Sequence, residues 1–195
     1  MTPARFSLVL VALGAVTVLV GACSEETIVL ATVPAEDAGT PHGKRCTTND
    51  DCSQDGFCEK VTCDAPAGEC RRRPTLCAQE QRPTCGCDGI TYLDDCLRRA
   101  AGVSSSTPGE CDASALRCSA TQACPAGATC ALLAMRDFMC SPDLAGVCWV
   151  IPAVCPPPVT GDRWDPCAPG PGPRCVGTCE AIAAGVPFRR AGRCP

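Results

Sequence analysis

Twenty-one of the 195 residues are cysteine, and they fall in a repeating pattern. From Cys46 the chain reads CTTNDDCSQDGFC and from Cys118 it reads CSATQACPAGATC, in both cases with five residues between successive cysteines. Each stretch then reaches a Gly-x-Cys, ending at Cys70 and at Cys148, and six further residues that include a proline lead to Cys77 and Cys155. Each also closes alike, CLRRAAGVSSSTPGEC against CEAIAAGVPFRRAGRC, with 14 residues between the cysteines and AAGV in register. Agreement at four independent spacings marks a tandem duplication, 46–111 and 118–194, of a unit of ordinary small-domain size. Each unit holds ten cysteines and can close its own bridges, which leaves Cys23 as the odd one.

Composition explains why the cysteines are needed. Aromatic residues make up 4% of the chain, too few large side chains for an ordinary core, and the 46% hydrophobic share is swollen by cysteine and by the N-terminal apolar run. Disulfides, each contributing about 2–4 kcal/mol, can replace the missing apolar burial. The expected fold class is therefore small and disulfide-rich: two tandem cysteine-rich units of short antiparallel strands with one short helix each. The stretch CALLAMRDFMC, Cys130 to Cys140, is the most helix-like outside the N-terminus. Trp149 and Trp164 are read as shields for the second unit's sulfurs.

The N-terminus, MTPARFSLVLVALGAVTVLVGAC, carries one cation, Arg5, then an apolar run from Phe6 to Val20 and small residues at Gly21 and Ala22. The run of 15 is short for a membrane span, which needs about 20 residues, so 1–22 reads as a secretory signal. VGAC resembles the bacterial lipobox, in which the cysteine takes a lipid and becomes the new N-terminus, here Cys23. The alternative is an ordinary signal cut near Ala22, with Cys23 pairing elsewhere. The odd cysteine count favours the lipid. Residues 23–45 have no helical or strand period and read as a flexible tether. The expected location is the bacterial cell envelope, anchored in a membrane by lipid. Ser24 rather than aspartate after Cys23 favours the outer membrane.

Without residues 1–22 the chain has 173 residues and a formal charge of −5, from 16 cationic against 21 acidic side chains. Nothing in so acidic a chain suggests a nucleic-acid partner, which would call for a strongly basic patch. The one cation cluster, CRRRP at Cys70 to Pro74, reads as a solvated turn. His42, the only histidine, lies in the tether, so neither unit can build a histidine-based triad, a cysteine–histidine pair or a mixed zinc site. Four-cysteine metal sites are formally open, but paired cysteines are the default in an oxidising compartment. No enzyme, cofactor or metal is expected, and the chain is expected to be a monomer.

From Cys77 the sequence reads CAQEQRPTCGCDGITYLDDC: seven residues to Cys85, six to Tyr92, three to Cys96, then 14 to Cys111. This pattern, with RP before Cys85 and DGxTY after it, resembles the Kazal-type serine protease inhibitor domain over residues 70–111. The chain departs from the family in carrying Arg99 where a fifth cysteine stands, an additional Cys87, and a shortened closing segment. Kazal-like pairing implies Cys77–Cys96 and Cys85–Cys111, with Cys70–Cys87 substituting for the missing bridge.

The resemblance implies a mechanism. Such inhibitors offer an extended loop to a serine protease as a substrate would, and bridges with a hydrogen-bonded spacer hold both sides of the scissile bond. A preorganised loop loses little entropy on binding. The loop would be Ala78, Gln79, Glu80, Gln81 and Arg82, with Gln79 entering the specificity pocket and the scissile bond running to Glu80. Asp94 occupies the spacer position, and Tyr92 would support the loop's underside; filling a small core is the plainer role for that tyrosine. Glutamine suits neither a trypsin-like nor a chymotrypsin-like pocket, which points to a subtilisin-like or elastase-like enzyme. In the second unit, Pro157 stands at the position of Gln79, and a proline lacks the N–H that substrates donate. That unit reads as decayed or repurposed. The alternative function is a structural or binding module of the envelope.

Overall fold

The computed structural model describes residues 43–78, 80–119, 121–134, 140–141, 143–159, 161–168 and 174–192, all of them in a single compact unit. The signal region, Cys23 and most of the tether lie outside the described residues. The fold is small and disulfide-rich. Its first half runs β1 (Arg45–Cys46), a 3-10 turn (Asn49–Asp51), β2 (Gly56–Glu59), β3 (Gly68–Arg72), β4 (Thr84–Gly86), β5 (Thr91–Tyr92), α1 (Asp95–Ala101) and β6 (Ser105–Pro108). The second half runs β7 (Arg117–Cys118), β8 (Thr129–Ala131), β9 (Leu133–Ala134), β10 (Gly146–Val150), β11 (Trp164–Pro166), α2 (Thr178–Ala183) and β12 (Phe188–Arg190).

The duplication read from spacing recurs as topology. β3 lies between β1 and β2, and β10 pairs with both β7 and β8 in the same antiparallel sense. The glycine of each Gly-x-Cys has a physical reason. Gly68 faces Cys46 and Gly146 faces Cys118 across the ladder. A Cβ at Gly68 would lie 2.7 Å from the Glu59 carbonyl carbon, and one at Gly146 would lie 2.9 Å from the Cys130 sulfur, so the strands close only over a bare backbone. Three bridges occupy equivalent places: Cys46–Cys58 with Cys118–Cys130, Cys52–Cys70 with Cys124–Cys148, and Cys77–Cys96 with Cys155–Cys179. Every bridge between described cysteines stays within one half.

The shared AAGV marks the ends of the two helices. Asp94 begins α1 by accepting the Leu97 N–H at 2.8 Å, and Gly102 ends it in the left-handed region at φ 74°. In α2 the Glu180 carboxylate accepts the Gly177 N–H at 3.1 Å, and Gly185 follows the helix at φ 64°. Arg98, on α1, is fully buried. It pairs with Glu59 at 2.9 Å and Asp95 at 2.7 Å and donates to the Val103 carbonyl, fastening the first sheet to the helix.

Four expectations need correction. Cys130–Ala131 and Leu133–Ala134 are strand, not helix: β8 pairs with β10 and β9 pairs in parallel with β12, and these ladders override a local apolar stripe. Residues 135–139 of that stretch lie outside the described residues. The end of the tether, residues 43–45, is instead hydrogen-bonded along β3, as in Cys70 N–H to the Lys44 carbonyl at 2.8 Å. Cys70 and Cys87 are not partners. Cys70 sits in β3 among Cys46, Cys52 and Cys58 and bridges to Cys52, while the β2–β3 loop carries Cys63 out to Cys87. Finally, not all strands are antiparallel. β5 runs parallel to β10, Thr91 beside Trp149 and Tyr92 beside Val150, which joins the halves into one six-stranded sheet.

That joint is also where the core sits. Leu93 packs with Ala131, Trp149, Cys179 and Ile182 of the second half, and Ile90 and Tyr92 pack on Cys118 and Cys148. Trp149 thus shares a cluster with Cys179. Trp164 instead packs with Val176, Ala181 and Phe188 while its indole N–H donates to Thr178 at 2.8 Å.

Candidate functional site

Ala78 and residues 80–82 lie in the segment between two bridges, Cys77–Cys96 to helix α1 and Cys85–Cys111 to the end of the first half. Both are the pairs that the resemblance implied. Ala78, Glu80 and Arg82 are exposed and Gln81 is half-buried; Gln79 lies outside the described residues. Leu76, immediately before Cys77, is 89% exposed.

Three hydrogen bonds shape the segment. The Glu80 N–H donates to the Ala78 carbonyl at 2.9 Å, and the Arg82 N–H donates to the Leu93 carbonyl at 3.0 Å. The Leu93 N–H in turn donates to the Val150 carbonyl at 3.0 Å, so the loop hangs from the strand that joins the halves. The third bond crosses between halves: Gln81 Nε2 donates to the Pro157 carbonyl at 2.9 Å and approaches the Pro156 carbonyl at 3.4 Å. The Arg82–Glu80 ion pair, at 3.7 Å and well exposed on both sides, adds little.

The two support residues are both buried. Tyr92 is buried in a cluster with Ile90, Cys118 and Cys148, the small-core role. Its hydroxyl donates to Asp88 Oδ2 at 2.7 Å, and Asp88 Oδ1 accepts the Ile90 N–H at 3.1 Å, so the Asp-Gly turn and the tyrosine brace each other. Burial, followed by the Asp88 hydrogen bond and charge, pushes the Tyr92 hydroxyl pKa up. Asp94 is buried as well. Burial raises its carboxyl pKa against the lowering effect of the Leu97 and Cys96 N–H groups, and the charge of nearby Glu80 raises it further. Its hydrogen bonds among the described residues go to the first turn of α1, which it caps.

The matching segment of the second half, Cys155 to Val159, is stiff. Three successive prolines fix φ, Pro156 is buried, and a Cβ on Gly177 would stand 2.7 Å from Pro158. Nothing in cysteine spacing announces that this run would receive Gln81. The only hint was the mismatch itself, a proline-rich segment where the first half has a polar one.

Among the described residues the sulfur clusters offer no metal centre. The Sγ atoms of Cys46, Cys52 and Cys70, and those of Cys118, Cys124 and Cys148, each gather within 4.8 Å, yet every one is in a disulfide and presents no thiolate. The same holds for Cys77 and Cys96 beside Asp94. A groove of about 550 Å³ lies on the first sheet, lined by Arg45, Glu59, Lys60, Val61 and Glu69 among others. Its charges are mixed and partly spent on each other, with Arg71 on Glu69 at 3.0 Å and Glu59 on Arg98. Set against protein-family models and curated proteins, the chain matches none.

Proposed function

We propose that the chain is a lipid-anchored envelope protein that inhibits a serine protease through residues 78–82. The observation that carries this reading is an exposed segment tied on both sides of the proposed scissile bond: Cys77 bridged to Cys96 before it, Arg82 bonded to Leu93 and Cys85 bridged to Cys111 after it. If the bond between Gln79 and Glu80 is cut, both new ends stay fixed to one body, and religation competes with dissociation. Affinity then follows from preorganisation and from the side chain that enters the enzyme's pocket. Exposed Leu76, three residues ahead of Gln79, suits an enzyme with a second apolar subsite, in keeping with a subtilisin-like or elastase-like target. Residues 70–111 act in the Kazal manner, without enzymatic chemistry of their own.

The test is a change of pocket residue. Gln79→Lys should create inhibition of trypsin, and Gln79→Leu should strengthen binding to chymotrypsin-like or subtilisin-like enzymes. Slow turnover should give one internal cut after residue 79, with both fragments held together, and the Pro157–Pro158 bond should stay intact. Rapid degradation of both variants without inhibition overturns the reading and leaves the binding module. The groove on the first sheet supports that second reading, with Val61 91% exposed beside it.

A further inference from the structure

We infer that the second half is a brace for the first half's loop, and that Gln81 is the positioning residue, its side-chain amide docked on the carbonyls of Pro156 and Pro157. Three features converge. The acceptors belong to a run, Pro156 to Pro158, that has carbonyls but no N–H groups, so it offers a side-chain amide acceptors only. The run cannot yield: φ is fixed at each residue, Cys155 is bridged to Cys179, and Gly177 presses on Pro158. The donor, Gln81, sits between Glu80 and the bonded Arg82, so fixing it fixes the segment on the far side of residue 79. Asp94, which the resemblance would assign to this task, caps helix α1 through the Leu97 N–H. The proline-rich copy is then repurposed rather than decayed. It cannot serve as a protease ligand, and for the same reason it makes a rigid acceptor rail.

In its inhibitory consequence the inference rests on the function proposed above, but its physical content does not. Backbone amide exchange in the full chain, without any protease, reads the brace directly. Gln81→Leu keeps the bulk and removes the donor, so exchange at Arg82 should rise roughly 2- to 10-fold, the equilibrium worth of one neutral hydrogen bond. Gln81→Glu should match it at pH 7, because a carboxylate cannot donate to a carbonyl, and should return toward the parent's protection below about pH 4, where the carboxylic acid can donate. The parent measured at the same two pH values is the control. Unchanged exchange in Gln81→Leu, or a Gln81→Glu variant with no recovery in acid, overturns the brace. In the Gln79→Lys background, adding Gln81→Leu should speed cleavage by trypsin by a similar factor. If Gln79→Lys does not inhibit trypsin while Arg82 exchange responds as stated, the inhibitor reading falls and the brace stands.

Discussion

Leu93 couples the two halves to the loop, and truncating it is a sharp test of the architecture. The side chain is 1% exposed and packs on Ala131, Trp149, Cys179 and Ile182, all from the second half. Leu93→Ala opens a cavity whose walls are held. Cys179 is bridged to Cys155, Trp149 lies in a strand paired on both sides, and Ile182 is on α2. Such a site collapses little, so the loss belongs in the upper part of the Leu→Ala range, about 3–5 kcal/mol. The assay is guanidinium unfolding with disulfides intact, followed by tryptophan emission, since buried Trp149 lines the same cavity. Val61→Ala, at a fully exposed position, should stay within about 0.5 kcal/mol and serves as control. If the halves share this core, Leu93→Ala and Ile182→Ala should be non-additive by more than about 0.5 kcal/mol. A loss below about 1 kcal/mol, or strict additivity, would refute a joint core and return the halves to independent units. Because the Leu93 carbonyl also receives Arg82, the variant should loosen the loop in the same exchange experiment that tests Gln81.

Two other outcomes are open to measurement. The Asp51 carboxylate accepts Thr47 N–H at 2.6 Å, the Thr47 hydroxyl at 2.8 Å and Thr48 N–H at 3.0 Å, which hold its pKa at about 2 against an ordinary 3.8. With the folded value below the unfolded one, this stabilisation is present above 3.8 and is lost as pH falls through about 2. Exchange at Thr47 and Thr48 should therefore rise across that window and Asp51→Asn should flatten the response; an acid-insensitive parent contradicts it. For the anchor, Cys23→Ser should abolish fatty-acid labelling and release the protein from the membrane fraction, and a variant that still sediments with membranes rules the lipid out.

Much of the fold is legible because the repeat encodes local geometry. Five-residue spacings put Cys46 and Cys58 on the two strands that flank β3, Gly-x-Cys supplies the bare backbone a close strand needs, and AAGV ends both helices on a residue free to turn left-handed. Fixed spacing also made Cys77–Cys96 and Cys85–Cys111 readable by resemblance. What the tertiary structure alone decided concerns the surface between the copies. Each half leaves an apolar face after its bridges close, and only packing determines that β5 and β10 run side by side, that Tyr92 turns to the second half's sulfurs, and that Cys130–Ala131 and Leu133–Ala134 become strand. Cysteine order cannot choose among pairings of similar loop length, so Cys70 and Cys87 found their partners through sheet position. Gln81 and Pro157 lie 76 residues apart, and no local propensity links them. Their contact exists because a core built around Leu93 and Trp149 brings one loop beside its own copy.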